Sequence, residues 1–323
     1  MKYLVFGGTR FVSWYIVKKL YESGNEVITI NRGNCKGLHG NNITEIYADR
    51  HNFNELKSAL DEVEVDYVID VSGYTLNDIK YSFEAIMNKD IKGYIFISSS
   101  AVYQESEILP IKEDFPVGEN RNWGNYGTDK LEAEKYLTNK QQNSKFPIII
   151  LRPPYIYGEG NNVYREAFIF DRLKEGKPII IPYNGKCLVQ FIHIDDLYQT
   201  IIQLLKKNVK GNIFNVGNCD SITLKGWVQK CMLAFGKSTE IIEFDYLTNN
   251  FNSRDFFPLY DYQYYLDVTK ISEIFKPVIT LEDGLQKSLK WYNQNQDLVM
   301  KRDHYSVNSD NITDLLLKTM PNS

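Results

Sequence analysis

The sequence KYLVFGGTRF at residues 2–11 joins a short apolar run to two adjacent glycines and the start of a helical pattern. The apolar run Lys2–Phe6 predicts a strand, the glycines predict a tight turn, and apolar residues at helical spacing predict a helix over Phe11–Tyr21. A turn of this kind directs free backbone N–H groups and the positive end of a helix dipole at one point, where a phosphate is the usual occupant. The stretch therefore predicts a strand, turn and helix that bind a phosphate.

Phosphate-binding turns of this type carry glycine at every third position, and this chain meets that pattern only in part. Gly7 holds the first position, Arg10 the second and Ser13 the third. The Arg10 guanidinium can lie against a phosphate, and Ser13 is small enough for the helix to pack almost normally. A generic strand and turn without a ligand remains the alternative.

The chain beyond this turn continues to alternate strands with helices. The predicted strands are Glu26–Asn31, Ile43–Ala48, Asp66–Val71 and Tyr94–Ser98, and the predicted helices are Phe53–Leu60, Ile79–Met87 and one that begins at Asn125. Their lengths are those of βαβ units, which predict an α/β fold with a doubly wound parallel sheet covered on both faces. Ligands of such sheets bind at the carboxyl ends of the strands.

The end of the second predicted strand bears on the choice of dinucleotide. Dinucleotide-binding folds place there, about 20 residues after the turn, the group that contacts the adenosine ribose. An acidic residue would accept a hydrogen bond from the 2′-hydroxyl and repel a 2′-phosphate, but this chain has Asn31-Arg32-Gly33. The exchange of a carboxylate for a guanidinium favours NADP over NAD. Alternatively, Arg32 stacks on the adenine or faces solvent.

Two further segments carry groups suited to acid–base chemistry. Tyr126 and Lys130 are four positions apart in a helical pattern, so they lie on one face of a helix. A free tyrosine ionises near pH ~10, and a neighbouring ammonium favours the phenolate and lowers that pKa. The serines at 98–100 follow a strand directly, where a hydroxyl can hold the substrate oxygen that Tyr126 protonates. An ordinary serine-rich turn and two exposed helix residues are the alternatives.

Composition excludes several classes of function. The chain has 323 residues, a net charge of −4 and a pI of about 5.7, with both signs of charge mixed along it. This distribution gives no basic surface for a nucleic acid or an anionic membrane. The four cysteines (Cys35, Cys187, Cys219 and Cys231) show no metal-ligand spacing, so we expect no metal site and reduced thiols. The N-terminus has no signal-peptide pattern, and we expect a cytoplasmic protein.

Six ordered motifs together carry a resemblance to a known family. They are VFGGT at 5–9, SSSAVY at 98–103, Tyr126 with Lys130, LRPPYIYG at 151–158, FIHIDDL at 191–197 and FNVG at 214–217. With these motifs the chain resembles the extended short-chain dehydrogenase/reductase family, in its NAD-dependent epimerase/dehydratase branch, over residues 1 to 295. Six motifs in the right order are specific where each alone is weak.

The resemblance implies roles for individual residues. Tyr126 matches the catalytic tyrosine, Lys130 the lysine that lowers its pKa and holds the nicotinamide ribose, and Ser99 the catalytic serine or threonine. The implied cofactor-binding residues are Gly7, Thr9, Arg10, Phe11, Asn31, Arg32, Asp49, Ser98, Tyr126, Lys130 and Pro153. The implied substrate-binding residues are Ser100, Tyr155 and Arg254. The second and third glycines of the family's turn are absent, which affects the pose expected for the cofactor.

The motifs also divide the chain. We expect a dinucleotide-binding domain over 1–157 to which 186–217 return, a smaller α/β substrate lobe from 158–185 and 218–302, and a C-terminal extension over 303–323. The extension could form an amphipathic helix over Ile312–Met320. We expect His193 to be structural and Asp195 to be the N-cap of the following helix. The resemblance also allows a homodimer.

By this resemblance the protein is an epimerase that transfers hydride between the nicotinamide and a hydroxyl-bearing carbon, often of a nucleotide-activated sugar. An NADP-dependent carbonyl reductase acting on a smaller substrate is the alternative within the same chemistry. Dehydratases are less favoured because they tend to carry Asp-Glu where this chain has Ser100-Ala101. The turn, the Asn31-Arg32-Gly33 segment and the stretch at 190–193 also resemble the chloroplast stem-loop RNA-binding relatives of the family.

Two positions argue against an ordinary UDP-sugar site. Family members that bind UDP-sugars commonly carry an arginine two residues before the Phe of the Phe-x-His motif, and this chain has Val189 there. The usual asparagine before Val-Tyr-Gly is replaced by Tyr155. We therefore expect either a nucleotide sugar anchored by Arg254, with Arg165 a weaker candidate, or a smaller substrate without a diphosphate.

Overall fold

The structure is a computed structural model and describes residues 1–35, 37, 40–301 and 303–319. It divides into two compact units, each assembled from three segments. The first unit comprises 1–156, 191–219 and 266–278, and the second comprises the described parts of 157–190, 220–265 and 279–319.

The strands and helices alternate along most of the chain. The strands are β1 (Lys2–Phe6), β2 (Glu26–Asn31), β3 (Ile43–Tyr47), β4 (Tyr67–Asp70), β5 (Gly93–Ile97), β6 (Ile148–Arg152), β7 (Tyr155–Tyr157), β8 (Ile179–Pro182), β9 (Leu188–His193), β10 (Ile213–Asn215), β11 (Ser221–Thr223) and β12 (Ile241–Phe244). The helices are α1 (Phe11–Glu22), α2 (Phe53–Leu60), α3 (Leu76–Ile86), α4 (Asn125–Gln141), α5 (Glu166–Glu175), α6 (Ile194–Lys206), α7 (Leu224–Phe235), α8 (Ser253–Phe256), α9 (Thr269–Ser272), α10 (Leu281–Gln294) and α11 (Asp303–Thr319).

The first unit is built on a seven-stranded sheet in the order β10-β6-β5-β4-β1-β2-β3. Every neighbouring pair in this sheet is parallel. The chain winds outward from β1 through β2 and β3, then restarts beside β1 with β4 and winds in the other direction. This confirms the predicted doubly wound parallel sheet. The reversal lies between β1 and β4, and the carboxyl ends of these two strands therefore flank the crevice where such folds bind ligands.

Apolar strands explain why this sheet is covered on both faces. All residues of β4, β5 and β6 are buried. These strands are mainly apolar because a parallel strand packed on both faces needs apolar side chains on each face, and the charged Asp70 and Arg152 stand only at the ends of β4 and β6. Burial of each such side chain contributes about 1.5–3 kcal/mol. One large cluster joins β1, β2, β4, β5 and β6 to α2, α3 and α4, which fixes α4 against the sheet.

The second unit contains two small sheets. β8 pairs with β12 in parallel, and β11 pairs with β9 in antiparallel. Within the second pair, Val189 lies opposite Ile222 and also forms a bridge with Tyr264. Val189 is 1% exposed, so this position belongs to the apolar interior of the unit.

The C-terminal segment belongs to the second unit through its helix α11. The hydroxyl of Ser309 donates to the Phe256 carbonyl at 2.8 Å, and Asp310 accepts from Arg172 at 3.2 Å and Lys177 at 2.9 Å. The helix begins at Asp303, well before the predicted start at Ile312, and the predicted end at Met320 lies outside the described residues.

Residues 266–278 lie in the first unit, although the sequence placed them in the substrate lobe. The physical reason is a set of hydrogen bonds that join this segment to the first unit. Leu266 forms a parallel bridge with Ile111, and the N–H of Asp267 donates to the Ile111 carbonyl at 2.8 Å. The amide of Asn215 donates to the carbonyls of both Ile111 and Asp267.

The predicted N-cap of α6 is wrong. The cap is His193, whose Nδ1 accepts the N–H of Asp195 at 3.2 Å. β9 runs directly into α6 without a loop, so the last extended residue is His193, and this residue occupies the cap position. Asp195 instead accepts from the Tyr15 hydroxyl at 2.9 Å and lies 3.8 Å from the Lys19 ammonium, which links α6 to α1.

Candidate active site

The turn after β1 has the geometry that only glycine permits. Gly7 and Gly8 have φ values of +117° and +110°, which side chains rarely adopt. A Cβ on Gly7 would lie 2.9 Å from Cβ of Ser13, and one on Gly8 would lie 2.8 Å from Cγ2 of Thr29. Ser13 therefore packs directly against the turn at the position of the family's third glycine.

The side chain of its N-cap residue does not cap the N-terminus of α1. Its N-cap residue, Arg10, makes no capping hydrogen bond through its side chain, and the first turn contains no acidic residue. Phe11 has a φ of +35°, a strained conformation for an aromatic residue that costs of order 1–3 kcal/mol. The start of a helix without an acidic residue in its first turn is suited to bind an anion through its backbone N–H groups.

The last residue of β2, Asn31, places an amide at the same edge of the sheet. Oδ1 of Asn31 accepts the N–H of Gly33 at 2.8 Å. Its Nδ2 is buried and has no hydrogen-bond partner among the described residues. Arg32 is exposed. Asp49, which follows β3, is 44% exposed and accepts the N–H of His51 at 3.0 Å.

Arg50 occupies a buried position that the sequence analysis did not single out. Its guanidinium donates to both carboxylate oxygens of Asp70, at 3.2 and 2.7 Å, and to the hydroxyls of Ser72 at 2.9 Å and Ser82 at 3.0 Å. It also lies 5.2 Å over the ring of Phe6. The carboxyl ends of β1, β3 and β4 are therefore tied together by one side chain.

Asp70 extends this buried network towards the site. It is fully buried, and its carboxylate also accepts the hydroxyls of Ser82 at 2.9 Å and Tyr94 at 3.1 Å. Its Oδ1 accepts the N–H of Gly73 at 3.0 Å. The loop after β4 is thus fixed at Gly73, whose carbonyl accepts a hydrogen bond from Lys130.

Lys130 donates to main-chain carbonyls from the interior of the unit. It is 2% exposed, and its Nζ donates to the carbonyls of Gly73 at 2.6 Å and Ile97 at 2.8 Å. The rings of Phe96 and Tyr74 have their centroids 4.7 and 5.0 Å from Nζ. The third N–H of the ammonium has no partner among the described residues, and so it can bind a ligand.

Burial determines the charge state of this lysine. It lowers the pKa of Lys130 to about 8, while the carboxylate of Asp70 acts in the opposite direction. Its ammonium therefore gives up its proton within the working range of most enzymes.

Tyr126 lies one helical turn before Lys130, on α4, and is 40% exposed. Its ring centroid is 6.1 Å from that of Tyr74. The next residue, Gly127, lies against the turn that follows β5, because a Cβ there would be 2.3 Å from the Ala101 carbonyl oxygen. The absence of a side chain at 127 lets α4 touch the turn that carries Ser99.

The three predicted serines after β5 differ in their hydrogen bonds. Oγ of Ser99 accepts the N–H of Ala101 at 3.2 Å, and the N–H of Ser100 donates to the Pro153 carbonyl at 3.0 Å. Oγ of Ser98 is buried and has no hydrogen-bond partner in the described part of the chain. Ser99, Ser100 and Pro153 are therefore held together at the carboxyl ends of β5 and β6.

A second buried ion pair fixes α4 to the sheet. Arg152, at the end of β6, donates from Nε to both carboxylate oxygens of Glu134 at 3.1 Å. Both side chains are under 5% exposed. Glu134 is one turn beyond Lys130 on α4, so this pair sets the position of the helix that carries Tyr126 and Lys130.

The predicted substrate residues fall in different units. Tyr155 is in the first unit, with its ring centroid 6.0 Å from that of Trp123 and 5.7 Å from that of Phe191. Arg254 is in the second unit, on α8, with its guanidinium 5.0 Å from the ring centroid of Tyr260 and 5.1 Å from that of Tyr305.

Comparison with known proteins identifies the family. Residues 3–217 match the profile of the NAD dependent epimerase/dehydratase family. The chain belongs to this family. The match covers most of the first unit, including the turn after β1 and the helix that carries Tyr126 and Lys130.

Two proteins that are similar to this chain in sequence have names that indicate different functions. The chain is 30% identical to the chloroplast stem-loop binding protein of 41 kDa b from Arabidopsis thaliana, over 89% of this chain and 78% of that protein. It is 27% identical to a putative UDP-glucose 4-epimerase from Methanocaldococcus jannaschii, over 90% of this chain and 98% of that protein.

Solved structures confirm the epimerase/dehydratase fold. A UDP-glucose 4-epimerase from Thermotoga maritima, with UDP-glucose, has a TM-score of 0.77 at 19% identity, over 92% of this chain and all of that one. A UDP-N-acetylglucosamine 4-epimerase from Methanobrevibacter ruminantium, in complex with UDP-N-acetylmuramic acid, also has a TM-score of 0.77, at 22% identity, over 91% of this chain and 98% of that one.

The residues present fit a dinucleotide in this epimerase/dehydratase fold. The positive φ values of Gly7 and Gly8 let the turn pass directly against Ser13 and Thr29, and the start of α1 presents backbone N–H groups suited to a pyrophosphate. The unpartnered Nδ2 of Asn31 and Oγ of Ser98 are polar atoms that a bound ligand could satisfy. These atoms follow β1, β2 and β5 at the sheet edge predicted to bind the cofactor.

Proposed function

We propose that this protein is an NAD(P)-dependent oxidoreductase of the epimerase type, which acts on a hydroxyl-bearing carbon of a nucleotide-activated sugar. One observation carries the proposal. An exposed Tyr126 lies one turn from a buried, carbonyl-bonded Lys130, on a helix that touches the Ser99 turn through Gly127. Exposure lets the phenol meet a substrate, while the buried ammonium is held in place beside the cofactor site.

A bound nicotinamide would supply hydride acceptance and return. In our proposal Tyr126 takes the proton of the substrate hydroxyl and gives it back when the carbonyl is reduced. Ser99 donates to the same substrate oxygen and holds it beside the phenol. The third N–H of Lys130 binds a cofactor hydroxyl, and its positive charge favours the phenolate form of Tyr126.

Turnover of a substrate panel tests this function. The purified protein is first examined by mass spectrometry for retained dinucleotide and then screened with UDP-, dTDP-, GDP- and CDP-sugars by thermal shift and by NMR of the sugar ring. A change of configuration at one ring carbon without net consumption of cofactor supports the epimerase. Stoichiometric oxidation of NADPH on a small carbonyl compound instead supports the reductase.

The cofactor is proposed to be NADP, with NAD as an alternative. Asn31 offers no carboxylate to repel a 2′-phosphate, and the exposed guanidinium of Arg32 is available to pair with it. Calorimetric titration should show NADPH binding at least as tightly as NADH, and Arg32→Ala should weaken NADPH selectively. A clear preference of the wild type for NADH contradicts this choice.

The substrate is proposed to be held by Arg254 rather than by an arginine on β9. Val189 is buried between Ile222 and Tyr264, so this position serves the core of the second unit. Among the described residues, the contacts of the Arg254 guanidinium are the Phe257 carbonyl and the rings of Tyr260 and Tyr305, and none is a carboxylate. A guanidinium held against rings keeps its edge donors available for a diphosphate.

RNA binding is a second candidate function, because the 30% identical relative from Arabidopsis thaliana is named as a stem-loop binding protein. Filter binding of a labelled RNA stem-loop at increasing salt tests it. Tight, salt-sensitive binding together with the absence of any nicotinamide turnover would favour this function over the enzyme.

The proposed location is the cytoplasm. The cysteines Cys35, Cys187, Cys219 and Cys231 are all free thiols, which is typical of a reducing compartment. No helix within the described residues is long and apolar enough to cross a membrane. The homodimer remains a prediction.

A further inference from the structure

Tyr74 lies beside Lys130 and Tyr126, and it has no part in the proposed chemistry. It follows Gly73 in the loop after β4 and is 54% exposed. Its ring centroid is 5.0 Å from Nζ of Lys130 and 6.1 Å from the ring centroid of Tyr126. The exposed Tyr74 ring thus contacts both Lys130 and Tyr126.

The backbone holds this ring in place. The N–H of Tyr74 donates to Oδ2 of Asp78 at 2.9 Å, within the capping box that starts α3. The preceding carbonyl, that of Gly73, accepts from Lys130 at 2.6 Å. The peptide segment on either side of the Tyr74 side chain is therefore fixed, although the ring itself faces solvent.

Two rings lie against the Lys130 ammonium, and they differ in exposure. Phe96 is fully buried in β5, and Tyr74 is more than half exposed. Lys130 itself is only 2% exposed. Of the two rings, Tyr74 is therefore the one that lies between the ammonium and solvent.

We propose that Tyr74 is a positioning residue for the Tyr126–Lys130 pair: its ring covers the Lys130 ammonium against water, attracts it through the π-face, and supports the Tyr126 ring. The proposal rests on the proposed function only in naming this pair catalytic. The cover itself is a property of the protein without cofactor or substrate.

The Tyr74 ring has two opposite effects on the pKa of Lys130, and substitutions of Tyr74 separate these effects. Cover disfavours the charged form and lowers the pKa of Lys130, whereas the cation–π attraction favours the charged form. Burial is the largest influence on this group and lowers its pKa from 10.5 to about 8. When the ring is removed, loss of the cover should therefore raise the pKa of Lys130 by more than loss of the attraction lowers it.

Other charged groups around Lys130 stay the same in every Tyr74 variant. They are Asp70 at the end of β4, Asp78 on α3, Arg50 from the loop after β3, and Glu134 on α4. Since none of them is altered, a change in the titration of Lys130 reports on the ring.

The experiment follows the ¹³Cε resonance of Lys130 across pH in the cofactor-free protein labelled with [¹³Cε]lysine. The resonance is assigned by its loss in Lys130→Arg. Wild type and Tyr74→Phe should titrate near pH 8. Tyr74→Ala should titrate higher, towards 10.5, because water reaches the ammonium. Tyr74→Leu, which keeps an apolar cover without a π-face, should titrate below the wild type.

A matched control is Tyr47→Ala, which removes another exposed tyrosine of the same unit, 61% exposed, and should leave the titration unchanged. Melting temperatures of all variants check that the fold is retained. The alkaline limb of the turnover profile should move in the same direction as the NMR titration for each Tyr74 variant.

The outcomes separate the inference from the proposed function. If Tyr74→Ala titrates with the wild type, the inference is wrong, even where Tyr126→Phe abolishes turnover. If the three Tyr74 variants titrate as expected but no substrate is turned over, the inference holds and the proposed function fails.

Discussion

Each unit of this protein holds a cation against aromatic rings rather than against a carboxylate. In the first unit, Lys130 is 2% exposed and donates to two main-chain carbonyls between the rings of Phe96 and Tyr74. In the second, the half-buried Arg254 makes one long hydrogen bond of 3.4 Å to the Phe257 carbonyl, between two tyrosine rings. Similar surroundings therefore hold two different cations.

Lys130 and Arg254 differ in whether they can lose their proton, and this difference determines the role to which each is suited. A buried ammonium can lose its proton near neutral pH, so Lys130 is suited to chemistry that depends on its charge. A guanidinium stays charged at any working pH and presents a planar edge, so Arg254 is suited to binding an anion. By contrast, Arg50 and Arg152 are paired with the carboxylates of Asp70 and Glu134 and hold the fold together.

The strongest test of this contrast is Tyr126→Phe, which removes the proton that Lys130 is proposed to help move. Turnover should fall by ~10²–10⁴-fold while the dissociation constant of the cofactor stays nearly unchanged. Lys130→Ala should damage both quantities. Steady-state kinetics and calorimetry measure them, and a Tyr126→Phe enzyme that keeps more than about a tenth of the wild-type rate contradicts the assignment.

Stability should separate the paired cations from the unpaired ones. Arg152→Ala leaves Glu134 buried without its partner and should lower the free energy of unfolding by about 3–5 kcal/mol. Arg254→Ala breaks no carboxylate pair among the described residues and should cost about 1 kcal/mol or less. Urea denaturation measures both, and equal losses would show that Arg254 is as structural as Arg152.

Nucleotide affinity should depend on Arg254. A charge-assisted contact contributes about 1.5–3 kcal/mol, so Arg254→Ala should weaken binding of the preferred nucleoside diphosphate about tenfold to over a hundredfold. UDP, dTDP, GDP and CDP are titrated into the cofactor-loaded protein, and the same titration of Arg165→Ala tests the weaker candidate anchor. Micromolar UDP binding that survives Arg254→Ala would falsify the proposed substrate anchor.

The smallest effect is the pH dependence of the wild type. In the proposed mechanism Lys130 acts as the charged ammonium, and burial lowers its pKa to about 8. Turnover should therefore fall as pH rises through about 8, with half the activity lost there. UDP binding through Arg254 should stay constant over the same range, since a guanidinium keeps its proton. A binding curve that falls in parallel with turnover contradicts the contrast.

The sequence predicted the sheet because each strand is a short apolar run next to a turn or a helix. It also predicted Tyr126, Lys130 and the Ser99 turn as site candidates, since these residues stand in short motifs. It did not predict the Arg50–Asp70 pair, because the two residues are distant in the sequence and only the fold brings them together. A tyrosine such as Tyr74 carries no local pattern that distinguishes it from other exposed aromatics.

Two other misses have local causes. His193 is an unusual N-cap, and the usual preference for aspartate led to Asp195. Gly127 stands in a helical sequence pattern, where a glycine normally lowers the stability of the helix. Its use is visible only once the Ala101 carbonyl is placed 2.3 Å from its missing Cβ.

This close approach at Gly127 restricts how the sequence can vary. Even alanine would force α4 away from the Ser99 turn, so selection should reject every substitution at this position. Asn125 and Asp129 are exposed on the same helix and can accept most residues. A library with every amino acid at each position of α4 should therefore show tolerance at 125 and 129 and complete intolerance at 127, a pattern opposite to the usual permissiveness of a glycine on a helix.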